Sequence, residues 1–410
     1  MAARSRLHIP SPPARPGEEP DFSYVDISPA GAVRRPEVSA RVRDMDDLSF
    51  GMVRVLDDDG MAHEPWRPDL EPDDIQVALR HMLLTRAYDD RMLRMQRQGK
   101  ISFYMQSRGE EAIAIAAAMA LRPGDMLFPS YRVQGLQVAR GRNLVDLMCQ
   151  CLSNSKDMCK GRQMPIMYHW ARGNIFSVSG NLTTQYPQAV GWAMGAAIKG
   201  EDHLAASWIG EGSSAEADFH HALTFAAVYQ APCILNVVNN QWAISTFQGV
   251  AGGERRTFAA RAPGYGVPGI RVDGNDYLAV YAVTRWAAER ARMGHGPTLI
   301  EQVSYRASAH STSDDPSRYR PENEAEAWPL GDPIERLKQF AINEGYWSED
   351  QHSALEEELT AHVLDCWEEA LTYGTMAEPG LDHSELFEDV FKDMPQHLID
   401  QREQMRALKD

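Results

Sequence analysis

The chain has 410 residues, 43% of them hydrophobic, and a formal net charge of −17. That length admits one large α/β domain with appendages or two modest domains, and the acidic balance argues against wrapping nucleic acid or lying on an anionic membrane. The five cysteines, Cys149, Cys151, Cys159, Cys233 and Cys366, form neither a CxxC pair nor a secreted framework, and no apolar run approaches the ~20 residues of a membrane span, so a soluble protein of a reducing compartment is expected.

Residues 1–70 are rich in Pro, Asp and Arg with little periodicity and read as an irregular, surface-lying arm. Arg4, Arg6 and Arg15, within a first seventeen residues that hold no acid, faintly resemble a transit peptide. Pro10, Pro12, Pro13 and Pro16 spoil that amphipathic helix, so an arm lying on a partner is the preferred reading. From Glu71, the residues Ile75, Leu79, Met82 and Leu83 share one helical face and predict a helix ending at Gln98-Gly99. A second helix is expected over 110–121.

Between 124 and 303, short apolar runs alternate with helical stretches, the pattern of a parallel sheet with helices on both faces. Strands are predicted at 125–128, 204–209, 233–238 and 298–303, with a shorter one at 270–272. Helical faces between them carry Ala215, Phe219, Leu223 and Ala226, or Val280, Val283, Ala287 and Ala291. The expected organisation is an arm (1–70), an α/β domain (71–330) and an acidic helical appendage (331–410), in which Ser348 and Gln351 cap a helix carrying Leu355, Leu359, Val363 and Cys366.

The strand at 204–209 runs into Gly210, Glu211 and Gly212, after which Ser213 and Ser214 open a helix. Small residues in such a turn let a ligand approach the backbone, and the free N–H groups of the helix start favour an anion. An acidic side chain there repels a bare phosphate, so Glu211 implies an intervening divalent cation. Asn239 and Asn240 close the next strand, one helix and one strand further on, which brings the two loops out side by side. A carboxylate, an amide oxygen and a backbone carbonyl suit magnesium, and Glu211, the Asn240 side chain and the Trp242 carbonyl are assigned to it.

Gly-Glu-Gly followed at this distance by Asn-Asn resembles the thiamine diphosphate motif, with Glu211 where the family has Asp. Over residues 75–325 the chain resembles the alpha subunits of 2-oxo acid dehydrogenases. The resemblance implies the thiamine diphosphate-binding α/β fold and a set of site residues. Tyr131 and Arg132, in PSYR, match the pair placed on the cofactor diphosphate, where Arg supplies a forked, permanent cation. Gly180, Leu182, Gly212 and Ser213 also line the cofactor, Leu182 propping its bent conformation, an ordinary core leucine being the alternative.

The run SVSGNLTTQYPQ at 177–188, preceded by Lys160 and GRQMP, looks like the family loop ordered by a monovalent cation, potassium, through Ser179, Thr184 and Gln185. Gly180-Asn181 replaces the usual Ser-Pro there and departs from that pattern. His310 matches the active-site histidine that passes the acyl group to lipoamide. The His-Ser-Thr-Ser-Asp-Asp run from His310 is closer to the branched-chain type than to the pyruvate type. Ser311 matches a position phosphorylated in animal members, where added charge would repel the diphosphate; otherwise Ser311, Ser313 and Asp314 shape the loop.

No second α/β domain for the pyrimidine ring is found, so the resemblance implies a site shared with a beta subunit in an alpha2beta2 heterotetramer, docked on a lipoyl-bearing dihydrolipoyl acyltransferase core. Residues 248–266 are expected near the interface between subunits. The implied location is the bacterial cytoplasm, or the mitochondrial matrix in a eukaryote. Alternatives are a pyruvate or acetoin dehydrogenase alpha subunit and a non-catalytic scaffold of the same fold. A Rossmann dehydrogenase is weakest, because Gly210-Glu211-Gly212 does not continue into G-x-G-x-x-G.

Overall fold

The computed structural model describes residues 7–378, 380 and 383–408. Arg4 and Arg6, on which the transit-peptide resemblance partly rests, lie outside them. In chain order the regular elements begin with β1 (Met52–Val53), α1 (Pro72–Arg97), α2 (Glu111–Ala120), β2 (Met126–Phe128), α3 (Gly135–Ala139), α4 (Leu144–Leu152) and α5 (Gln185–Lys199). They continue with β3 (Ala205–Gly210), α6 (Ala217–Tyr229), β4 (Cys233–Asn239), a small hairpin of β5 (Trp242–Ala243) and β6 (Thr246–Phe247), and β7 (Gly269–Asp273). The last are α7 (Tyr277–Arg292), β8 (Thr298–Val303), α8 (Pro333–Asn343), α9 (Glu349–Leu371) and α10 (Gln396–Ala407). Among the described residues no helix is long and apolar enough to cross a membrane.

Six strands form one parallel sheet in the order β1, β7, β8, β4, β3, β2. All residues of β4, β7 and β8 are buried, including Arg271, Asp273, Glu301 and Gln302, so these strands lack the in-out alternation of a half-exposed sheet. One face is covered by α2 and α7, through Ile113, Ile115, Val280 and Val283, the other by α5 and α6, through Tyr186, Val190, Phe219 and Leu223. The C-terminal helices are not detached: Leu337, Leu355 and Leu359 share the main core with Leu79 and Met82 of α1. Helix α1 opens on a capping box between Glu71 and Asp74 with Pro72 in the first turn, and Ser348 caps α9 by accepting the Gln351 N–H. The five cysteines are buried and unpaired.

The arm needs correction. Much of it is irregular, but Met45, Leu48, Val55, Leu56 and Trp66 are buried in the main core, and β1 extends the sheet beyond β7. Two residues of strand carry no alternation for a periodicity argument to detect, yet they cover what would otherwise be a bare sheet edge. Asp276, the N-cap of α7, fixes this segment. One carboxylate oxygen accepts the N–H groups of Val55 (2.7 Å) and Leu56 (2.6 Å), and the other accepts that of Ala279 (3.0 Å). Asp276→Ala strands these buried donors and is expected to lower stability by roughly 3 kcal/mol. Urea titration of the purified chain measures it; a loss below about 1 kcal/mol would mean that water satisfies those donors equally well.

Candidate active site

Because β8, β4, β3 and β2 are consecutive in the sheet, the loops at their carboxyl ends emerge along one edge, where parallel α/β sheets bind ligands. They carry Arg306 and His310, Asn240 and Trp242, Glu211 to Ser213, and Tyr131 with Arg132. Backbone pairing continues past the strands: Glu211 N–H donates to the Val238 carbonyl (3.1 Å) and Arg306 N–H to the Asn240 carbonyl (3.3 Å). Gly212 is required by a close approach, since a Cβ there would lie 2.5 Å from the Ala243 Cβ of the hairpin. Gln241, Ile244 and Thr183 all have positive φ; for two β-branched residues this is strain of the kind that collects at binding sites.

Glu211 is 1% exposed, and its Oε1 meets no hydrogen-bond donor. Burial pushes its carboxyl up to about 7, against its own and the Asn240 backbone N–H groups and the guanidinium groups of Arg306 and Arg132. The Asn240 amide donates to Glu110 (2.7 Å), while its Oδ1 faces only the Trp242 N–H, at 3.3 Å. The Trp242 carbonyl accepts from Arg306 (2.8 Å). An unpartnered buried carboxylate oxygen beside an amide oxygen and a carbonyl fits a hard divalent cation. Among the described residues no three His, Cys, Asp or Glu side chains converge, so such an ion would depend on neutral oxygens and on ligand oxygens.

Arg132 is buried, and its guanidinium donates to the backbone carbonyls of Gln106 (2.5 Å) and His310 (2.8 Å) and approaches His310 Nδ1 at 3.2 Å. Arg306 lies 3.5 Å from the same Nδ1. With two guanidinium donors on Nδ1, the neutral imidazole carries its proton on Nε2. Burial, then Arg132 and Arg306, depress His310 to about 3, despite Asp314, so the ring is uncharged at physiological pH. The Tyr131 ring meets it edge-on, with centroids 5.9 Å apart. A cavity of about 500 Å³, lined in part by Arg97, Tyr104, Gln106, Thr312 and Asp314, adjoins this loop. Ser311 Oγ accepts the Ser313 N–H and Asp314 accepts the His310 N–H, so these side chains shape the loop.

The remaining expected residues are gathered less tightly. Thr183 Oγ1 donates to the Ser213 carbonyl (2.7 Å), tying the 177–188 loop to the Gly-Glu-Gly turn. Leu182 is 48% exposed, which removes the core-leucine alternative, and Gly180 is exposed as well. Ser179 Oγ and Thr184 Oγ1 are both engaged with the Asn181 backbone. Gln185 donates to the Trp208 carbonyl, leaving its Oε1 buried and unpartnered. Of these three side chains, Gln185 alone presents a buried acceptor with no partner. Ser213 and Ser214 do not open the long helix. They lie in a 3-10 turn, Gly212–Ala215, closed as Ser214 Oγ donates to the Glu211 carbonyl, and α6 starts at Ala217.

Two residues were not singled out from the sequence. Glu110, 1% exposed, accepts from Asn240 and stands 3.7 Å from Arg132; before an alanine-rich run it reads as an ordinary acid of a helix start. Arg306 follows Tyr305 in the segment that contains His310, and only the fold reveals that it braces both Trp242 and His310. Burial raises Glu110 to about 7 from an ordinary 4.5. The folded state therefore binds more protons than the unfolded chain over that interval, and this contribution to stability is lost as pH rises through about 7. Glu110→Gln keeps an acceptor for Asn240 and is expected to gain stability relative to the unsubstituted chain as pH rises from about 5 to about 8. Denaturant titrations of the cofactor-free chain measure it; a constant difference would mean that Glu110 titrates as an ordinary carboxylate.

A family model described as "Dehydrogenase E1 component" matches residues 79–378, and one described as "2-oxoisovalerate dehydrogenase E1 alpha subunit N terminal" matches residues 3–42. The chain is 56% identical over 401 residues to the 2-oxoisovalerate dehydrogenase subunit alpha of Pseudomonas aeruginosa, covering 98% of each. It is 38% identical over 368 residues to the 3-methyl-2-oxobutanoate dehydrogenase subunit alpha of Mycobacterium tuberculosis, covering 87% of this chain and 93% of that protein. It is 36% identical over 406 residues to the mitochondrial 2-oxoisovalerate dehydrogenase subunit alpha of Homo sapiens, covering 95% and 87%. Since five of the six strands of the sheet and every loop of the site lie within the 79–378 match, the chain belongs to the family of dehydrogenase E1 components.

Proposed function

We propose that the chain is the alpha subunit of a branched-chain 2-oxo acid dehydrogenase, which oxidatively decarboxylates 3-methyl-2-oxobutanoate and related acids and delivers the acyl group to lipoyl groups. The observation that carries the reading is the orphaned, buried Glu211 carboxylate beside Asn240, in a chain so similar along its length to 2-oxoisovalerate dehydrogenase alpha subunits. The E1 family uses thiamine diphosphate, which when bound supplies a nucleophilic carbon and an electron sink for the departing carbon dioxide. Glu211, Asn240 and the Trp242 carbonyl would hold magnesium against its diphosphate, and Tyr131, Arg132, Gly212 and Ser213 would contact it. Gly180 and Leu182, at the exposed end of their loop, would border it. Potassium at Ser179, Thr184 and Gln185 has the weakest support.

His310 would act in acyl transfer. Uncharged, with Nε2 protonated, it donates a hydrogen bond without adding a positive charge beside the two arginines. The rest of the site would come from a beta subunit in an alpha2beta2 assembly on a lipoyl-bearing acyltransferase core, with residues 248–266 near the interface. The Pseudomonas relative supports a bacterial cytoplasm as the location.

Decarboxylation of 3-methyl-2-oxobutanoate and pyruvate, with an artificial electron acceptor, separates the possibilities for the chain alone and with its partner. Cofactor-dependent activity only in the complex, favouring the branched acid, is expected; a pyruvate preference would assign the pyruvate type. Glu211→Gln is expected to weaken magnesium-dependent cofactor binding at least ~10-fold, and unchanged affinity would refute the ligand assignment. His310→Ala is expected to remain folded and lose transfer to lipoamide; full overall activity would make His310 structural.

A further inference from the structure

Asp89 lies on α1, outside the residues assigned above, yet it is 1% exposed and accepts four hydrogen bonds. Tyr104 Oη (2.7 Å) and Gln134 Nε2 (2.9 Å) donate to Oδ1, and the Ser107 N–H (2.6 Å) and Oγ (2.7 Å) donate to Oδ2. Burial raises its carboxyl to about 6 while these donors oppose the rise; three of the four bonds come from the 104–107 stretch and the fourth from Gln134.

The Ser107 N–H and the Gln106 carbonyl are the two ends of one planar peptide unit. Asp89 holds the N–H end, and the carbonyl end accepts Arg132 Nη1 at 2.5 Å. Neither end turns without the other. The Gln134 amide that bonds Asp89 also donates to the Met105 carbonyl (3.0 Å), fixing the preceding peptide. One step further along, Tyr104 N–H donates to Thr312 Oγ1 (3.1 Å) and Thr312 N–H to the Tyr104 carbonyl (3.0 Å), two residues from His310.

We propose that Asp89 is a positioning residue for the cofactor site: it aims the Arg132 guanidinium by fixing the Gln106–Ser107 peptide plane, and through Tyr104 it braces the loop that carries His310. The proposal rests on the reading of Arg132 as a ligand of the cofactor diphosphate. In Asp89→Asn the amide N–H₂ replaces an oxygen that accepts two bonds; the hydroxyl of that pair, Tyr104 or Ser107, can turn to accept, but the other donor, Gln134 Nε2 or the Ser107 N–H, meets an N–H, which loosens the frame around the Gln106–Ser107 peptide.

The test is calorimetric titration of thiamine diphosphate, with magnesium present, into the complex of this chain with its partner subunit. It compares the unsubstituted protein, Asp89→Asn, Arg132→Gln and the double variant. Asp89→Asn is expected to raise the Kd about tenfold with an unchanged number of sites. The double variant is expected to bind no more weakly than Arg132→Gln alone, because Asp89 acts through Arg132. Fewer sites at unchanged Kd would mean a merely structural role, and additive losses would mean that Asp89 acts elsewhere; each overturns the proposal. A large loss in Arg132→Gln with normal affinity in Asp89→Asn overturns the proposal alone, whereas normal affinity in Arg132→Gln overturns the diphosphate reading together with it. Should Asp89→Asn not fold, Tyr104→Phe removes one of the four donors and leaves the ring packed. It is expected to raise the Kd about threefold, and unaltered affinity there is the overturning result.

Discussion

Charge buried at the carboxyl edge of a parallel sheet is the constraint on which the rest of this molecule turns. Glu110 and Glu211, each 1% exposed, share that edge with the guanidinium groups of Arg132 and Arg306. Desolvation disfavours each of them separately, and only mutual compensation with a full set of hydrogen bonds makes the cluster tolerable. The compensation is incomplete, because one Glu211 oxygen has no donor. A site in this condition is short of positive charge at one identifiable point, and it sits on a sheet too well packed to collapse around the gap.

The rigid frame exists to hold that imbalance open. Covering helices lie on both sheet faces, and the C-terminal helices share the same core, so the loops that project charge inward are anchored at both ends. The arm contributes by closing the sheet beyond β7, where Arg54 and Arg336 meet the Asp273 carboxylate at 3.3 and 2.7 Å. Toward the C-terminus, Lys160 pairs with Glu385 (2.9 Å) and Asp389 (2.8 Å), which ties the segment after α9 to the connection between α4 and α5.

Long-range order was legible where one physical signal dominated. Strands buried on both faces carry short apolar stretches such as Leu299-Ile300 and Val237-Val238, and the pattern gives β8 to the residue and β4 short by one. Glu211 and Asn240 stand out in the sequence because an acid in an anion-favouring turn is a contradiction that a cation would resolve, and adjacent parallel strands bring their loops out side by side. What escaped depends on partners distant in sequence. A two-residue strand has no period, so β1 and the buried residues of the arm read as surface in the sequence. Glu110 and Arg306 are unremarkable beside their neighbours and acquire their roles only when four strand ends meet. Asp276 and Asp89 resemble any helix-borne acid until the backbone each one holds is known.

The five cysteines carry a consequence of their own. Burial pushes Cys149, Cys151 and Cys159 up to about 11 and Cys233 to about 12, and raises Cys366 too. Thiol–disulfide exchange proceeds through an exposed thiolate, and this protein offers none. In the proposed assembly, a lipoyl disulfide brought to this subunit would find no exposed thiolate with which to form a mixed disulfide.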